Sequence, residues 1–232
     1  MMKHRGVLIS RPILFDCDGV LVDSEHIYQA VERACLEEIG LVYNRTDYGN
    51  RFTGLPEDAF VATLKQDFEA RGLGRFPAAL PERMNARSRE RLQQELTPIA
   101  DVAGFLGMMT GKRAVASSSG VQTLRWKLTH TDLAGFFGPH VYSGELVARG
   151  KPAPDLFLLA ADKLGEVPAA CIVIEDSLNG VRAGVAAGME VWGFTGGSHA
   201  DVTLSHRLRE AGASHVFASY AEMGVFAQTD VR

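Results

Sequence analysis

The sequence predicts an α/β fold: a parallel sheet in three layers, broken once by an all-helical insertion. Three observations carry this. Short apolar runs at 13–15, 113–116, 171–174 and 190–194 alternate with helical patterns. Residues 24 to about 94 show helical periodicity alone. Polar clusters follow the runs, at the carboxyl ends of strands, where open parallel sheets bind ligands. The expected division is a core of residues 1–23 and 95–232 with a helical domain of residues 24–94 set into it.

The elements follow in order. Ile13–Phe15 reads as a buried strand, and Gly19 to Asp23 as a loop with Val20, Leu21 and Val22 packed under it. Ile27, Val31, Cys35 and Ile39 recur every four positions, which makes 25–39 a helix with Ser24 as its N-cap and Gly40 as its stop. A second helix is expected from Pro56 through Phe60, Leu64 and Phe68 toward Gly72. A third runs from Pro81 to about Leu96. The rhythm then changes to helix 102–109, strand 113–116, helix 124–128, a short strand 141–143 and helix 156–164. Strand 171–174, helix 181–187, strand 190–194, a helix around 204–211 and an edge strand at 216–217 complete the chain.

Composition narrows the class. At 46% apolar and 22% charged, the 232 residues match a soluble globular chain rather than a disordered one. The net charge is −4 and no basic stripe runs along the chain, so nucleic acid is not an expected partner. Arg83, Arg87, Arg89 and Arg91 alternate with Glu82, Glu90 and Glu95 and read as a solvated helix face. No apolar run reaches the length of a membrane span, and the basic N-terminus runs straight into a strand rather than a signal peptide. Three cysteines, Cys17, Cys35 and Cys171, lie in apolar stretches. That pattern suits reduced, packed thiols in the cytoplasm.

The chemistry sits at four strand ends. Asp16 and Asp18 stand one residue apart, so both side chains leave the strand on one face. Two carboxylates about 4 Å apart repel by roughly 4 kcal/mol at an effective dielectric of about 20. Such a pair calls for a cation, a shared proton or a chemical task. Asp16 and Asp176 offer hard oxygen ligands of the kind Mg²⁺ prefers. The Ser117 hydroxyl and the amides of the following helix start suit a phosphate. Lys151 supplies a compact positive charge. A cation, a lysine and a hydroxyl around a carboxylate nucleophile describe phosphoryl transfer.

These residues also carry a resemblance. Phe15-Asp16-Cys17-Asp18-Gly19-Val20-Leu21-Val22-Asp23-Ser24-Glu25 resembles the first motif of the haloacid dehalogenase superfamily, in its phosphatase and phosphomutase branch. Ala116-Ser117-Ser118-Ser119 resembles the second motif, and Lys151-Pro152-Ala153-Pro154-Asp155 the third. Ile174-Glu175-Asp176-Ser177, with Gly180, Gly184 and Ala187-Gly188, resembles the fourth. The resemblance implies a Rossmann-like core with an α-helical cap. It implies Asp16 as nucleophile, forming an aspartyl-phosphate, and Asp18 as general acid/base with its carbonyl on the metal. Asp176 would bind Mg²⁺ directly, with Glu175 beside it or acting through water. Ser117 and Lys151 would hold the phosphoryl oxygens, helped by Ser118.

Within that family, Asp18 argues against dehalogenation, which proceeds without a second Asp. Lys65, the single cap lysine, sits at a polar position, which argues against phosphonate hydrolysis. The expected reaction is Mg²⁺-dependent hydrolysis of a small phosphate monoester: a sugar phosphate, sugar-acid phosphate or phosphoglycolate. The alternative is a phosphomutase resembling β-phosphoglucomutase. Mutases of that kind carry a His after the first motif and an Arg after the cap glycine, where this chain has Tyr28 and Glu57. A non-catalytic phosphometabolite-binding module is the reading from another class. The stretch Asn50 to Pro56 is the expected specificity turn facing Asp16, with Arg51 and Asn50 contacting substrate. A monomer is expected.

Overall fold

The computed structural model describes residues 9–52, 55 and 57–229. The chain divides into two compact units, one of Met1–Asp23 and Thr97–Arg232, the other of Ser24–Leu96. The second crossing therefore follows Leu96, at the end of a helix, two residues beyond the expected point.

The first unit holds a parallel sheet of six strands: β1 (Ile13–Phe15), β2 (Arg113–Ser117), β3 (Val141–Ser143), β4 (Ile172–Glu175), β5 (Glu190–Phe194) and β6 (His215–Phe217). The order is β3-β2-β1-β4-β5-β6. The chain runs outward from β1 to β3, then returns to the other side of β1. The order thus reverses at β1, and the crevice at its carboxyl end is where such sheets bind ligands. Phe15 stands opposite Val115 on one side and Ile174 on the other.

Alternation along β1 serves two layers. Leu14 joins a cluster with Phe157, Val181 and Leu208, contributed by helices of one face. Phe15 packs edge-on against Phe105 and Phe137 of the other face, at centroid distances of 6.3 and 5.7 Å. Edge-on aromatic pairs add about 0.5–1.5 kcal/mol each beyond their burial.

The second unit is helical throughout its described residues. It contains α1 (Glu25–Glu37), α2 (Arg45–Phe52), α3 (Glu57–Ala70) and α4 (Leu80–Glu95). Val31, Cys35, Tyr48, Phe52, Leu64 and Phe68 meet in its core. Helix α2 corrects the sequence reading, which placed no helix between Gly40 and Pro56. Its eight residues, Arg-Thr-Asp-Tyr-Gly-Asn-Arg-Phe, are mostly polar, and among its described side chains only Tyr48 and Phe52, four apart, are buried. Thr53, Gly54 and Pro56, expected in the specificity turn, lie outside the described residues. The arginine face of α4 is paired as a solvated surface: Arg83 and Arg87 with Glu38, and Arg91 with Glu95.

The remaining helices of the first unit are α5 (Val102–Met108), α6 (Val121–His130), α7 (Ala134–Phe137), α8 (Asp155–Leu164), α9 (Leu178–Ala186), α10 (Leu204–Ala211) and α11 (Tyr220–Thr229). The sequence reading lacked α7 and α11. Among the described residues no helix is long and apolar enough to cross a membrane.

Candidate active site

The strand β1 ends at Phe15, and the next amide, Asp16 N–H, still donates to Ile174 O at 3.0 Å. Asp16 is therefore held at the reversal point with its carboxylate buried. The chain then turns tightly. The Cys17 carbonyl accepts from the amides of Leu21 and Val22, at 2.8 and 3.0 Å. Val20, Leu21 and Val22 are buried beneath the turn. The Cys17 thiol is buried, and burial together with the Asp18 charge pushes it well up, which disfavours the thiolate.

Lys151 ties three strand ends together. Its Nζ donates to Asp16 Oδ1 at 2.5 Å, to Glu175 Oε1 at 2.7 Å and to the Ala116 carbonyl at 2.9 Å. All three ammonium protons thus have acceptors. Burial opposes the lysine charge, but Asp16 and Glu175 outweigh it and hold the group protonated. Burial pushes the Asp16 carboxyl up to about 7, with Glu175 and Asp18 adding to the push and Lys151 opposing it.

Glu175 shares the Lys151 ammonium with Asp16. Oε1 accepts from Lys151, and Oε2 accepts from the Ser177 amide and hydroxyl at 3.0 and 2.9 Å. Both oxygens are engaged because the strand end turns directly into α9, whose N-cap is Ser177. Glu175 anchors the lysine and the helix start.

Asp18 has its own partners. Ser119 Oγ donates to Asp18 Oδ2 at 2.7 Å, and Lys127 Nζ donates to Oδ1. Ser117 is buried at the end of β2, and its Oγ accepts from the Ser119 amide at 3.1 Å. As a hydroxyl it still has a proton to donate. Ser118, the next residue, is exposed. The first amide of α6, Val121 N–H, donates to Glu145 Oε2 at 3.1 Å. Glu145 thus occupies one of the amides at the start of α6, while Ser117 at the end of β2 and the Lys151 side chain, on the loop after β3, are both buried beside Asp16 or its neighbours.

Asp176 is buried and reaches the β1 turn. Gly19 has φ +73, and a Cβ there would lie 1.8 Å from Asp176 Oδ2. Glycine is required twice over, for its backbone angle and for that approach. His199 Nε2 stands 3.2 Å from the same Oδ2.

Among the described residues no three His, Cys, Asp or Glu side chains are grouped to hold a metal. A hard cation such as Mg²⁺ does not need three. It takes one or two carboxylates and fills its shell with carbonyl, water and phosphate oxygens. The donors here are oxygens, and the charges are unequal. Four carboxylates, Asp16, Asp18, Glu175 and Asp176, face two ammonium groups, Lys127 and Lys151. A divalent cation fits that deficit.

The structure thus joins Asp16 and Glu175 through Lys151, and Asp18 and Ser117 through Ser119, with Asp176 against the β1 turn. Arg51 and Asn50 belong to the helical unit. Arg51 lies on α2 and pairs with Asp67. Asn50 lies on α2, and its side chain is outside the described residues. The sequence reading gave no role to Lys127 or His199. His199 follows β5, so the strand-end rule extended to a fifth strand points to it. Lys127 gives a weaker signal, three residues beyond Leu124 on the buried face of α6.

The comparisons with known proteins agree with one another. Residues 11–188 match the haloacid dehalogenase-like hydrolase family. A phosphorylated carbohydrates phosphatase of Thermotoga maritima is 32% identical over 179 residues, covering 77% of this chain and 82% of the relative. A haloacid dehalogenase-like protein of Agrobacterium tumefaciens superposes with a TM-score of 0.88 at 35% identity, covering 96% of this chain and 100% of the other. A hydrolase from Deinococcus radiodurans, solved with bound phosphate and sodium, superposes with a TM-score of 0.74 at 34% identity, covering 94% of each chain.

Proposed function

This chain belongs to the haloacid dehalogenase-like hydrolases and is a phosphoric monoester hydrolase, and on that footing we propose a Mg²⁺-dependent phosphatase of small phosphorylated sugar-type metabolites that works through an aspartyl-phosphate on Asp16. One observation carries the reading: Asp16 is a buried carboxylate at the reversal point of the sheet, fixed by the Lys151 ammonium.

A carboxylate oxygen of Asp16 attacks phosphorus. The ester P–O bond breaks, its electrons pass to the leaving oxygen, and Asp18 hands that oxygen a proton. Water then attacks the phosphorus. Its proton passes to Asp18, the P–O bond to Asp16 breaks, and inorganic phosphate leaves with the Asp16 carboxylate restored. Lys151 and the Ser117 hydroxyl stand where the phosphoryl oxygens gather charge, which favours the transition state over the free ester. Asp16, Asp176 and the Asp18 carbonyl would hold Mg²⁺. The ion would supply neutralisation of phosphoryl charge.

The substrate class rests on the Thermotoga relative, named for phosphorylated carbohydrates. The phosphate and sodium bound in the Deinococcus structure support an anion and a cation site. The helical unit Ser24–Leu96 is taken as the part that sets substrate choice. The buried free cysteines fit a reducing compartment, the cytoplasm.

The test is trapping. Protein mixed with Mg²⁺ and a reactive phosphate ester is quenched in acid and digested. The peptide carrying Asp16 should gain the mass of one phosphoryl group in the wild type and none in Asp16→Asn. Turnover without a labelled Asp16 peptide would contradict the covalent route.

A further inference from the structure

Helix α6 buries Leu124, Lys127 and Leu128. The Lys127 side chain has no exposed surface, which is rare for lysine. Its Nζ donates to Asp18 Oδ1 and, at 3.0 Å, to Ser119 Oγ. Ser119 Oγ donates in turn to Asp18 Oδ2 at 2.7 Å. The three side chains close a ring in which each Asp18 oxygen has its own donor. A carboxylate held at both oxygens cannot swing about its Cβ–Cγ bond.

The two carboxylates of the β1 motif are thus held by different lysines. Lys151, on the loop after β3, takes Asp16, and Lys127, on α6, takes Asp18. Packing alone does not call for an ammonium at 127, since buried ion pairs are often no more stabilising than apolar residues of like volume. An acid/base group does call for a fixed position, because it must lie within hydrogen-bond reach of the proton it moves.

We propose that Lys127, acting with Ser119, is a positioning residue that holds the Asp18 carboxylate for proton transfer to the leaving oxygen. The proposal rests on the reading of Asp18 as acid/base given above.

Leaving-group dependence tests it. An alkyl phosphate such as glycerol 2-phosphate needs its leaving oxygen protonated, whereas p-nitrophenyl phosphate needs this far less. In Lys127→Met, kcat/KM for the alkyl ester should fall roughly a hundredfold or more relative to the aryl ester, within the range of general acid catalysis. Adding Lys127→Met to Asp18→Asn should cost little beyond Asp18→Asn alone, since the two act as one unit. Equal losses on both esters, full additivity or wild-type kinetics would each overturn the proposal. If Lys127→Met does not fold, Ser119→Ala is read in the same way.

The crystal structure of the variant is the second measurement. Asp18 should leave its wild-type orientation, and an unmoved carboxylate overturns the proposal whatever the kinetics. Should the wild type hydrolyse neither ester, the phosphatase reading fails while the structural test still decides the role of Lys127.

Discussion

Asp16 and Glu175 share one ammonium: Lys151 Nζ lies 2.5 Å from Asp16 Oδ1 and 2.7 Å from Glu175 Oε1. Both carboxylates are buried, and they come from adjacent strands, β1 and β4. Removing the cation leaves two buried negative charges facing each other. Lys151→Met should therefore destabilise the protein by about 3–5 kcal/mol, the cost of breaking a buried pair from one side. Adding Glu175→Gln should recover part of that stability and none of the activity. Urea unfolding of the three proteins checks both statements. Unchanged stability in Lys151→Met would contradict them.

Gly19 sets the floor beneath Asp176. An alanine there meets φ +73 and a Cβ position 1.8 Å from Asp176 Oδ2. Gly19→Ala should cost about 1–3 kcal/mol of stability, as strained left-handed residues do. The displaced carboxylate should also weaken Mg²⁺ binding at least tenfold, as measured by calorimetry. Wild-type Mg²⁺ affinity in a folded Gly19→Ala would remove Asp176 from the cation site.

The helical unit carries its own pH dependence. Tyr48 donates to Glu32 Oε2, yet burial pushes the Glu32 carboxyl from 4.5 to about 7. A carboxyl raised in the folded state favours folding while protonated. Its contribution is complete below pH 4.5 and is lost as pH rises through about 7. Stability should decline over that window by up to about 3 kcal/mol, and the melting temperature with it. In Glu32→Gln, whose amide oxygen still accepts from Tyr48, this part of the decline should vanish. Identical pH profiles for the two proteins would contradict the assignment.

The sheet was legible because its strands are apolar runs bounded by glycine and polar residues. Strand β5 lies at Glu190–Phe194, as its run predicts, between Gly188 and Gly196. Asp16, Asp18, Ser117, Lys151, Glu175 and Asp176 were legible as strand-end residues, since parallel topology sends all such ends to one edge. Side-chain reach was not legible. Nothing in a linear pattern says that Glu175 turns both oxygens to Lys151 and Ser177, or that α6 buries a lysine. Helix α11 was missed because its buried residues, Tyr220, Met223 and Ala227, are separated by Gly224 and weakly apolar neighbours. Helix α2 was missed because among its described side chains only Tyr48 and Phe52 are buried.

The account depends most on Asp16 as the nucleophile. Phosphate release from a panel of sugar phosphates, with and without Mg²⁺, should be compared between the wild type and Asp16→Asn. The account predicts Mg²⁺-dependent release that falls by roughly four orders of magnitude or more in the variant, as when one member of a catalytic unit is removed. Release that persists in a folded Asp16→Asn, or that ignores Mg²⁺, would contradict it.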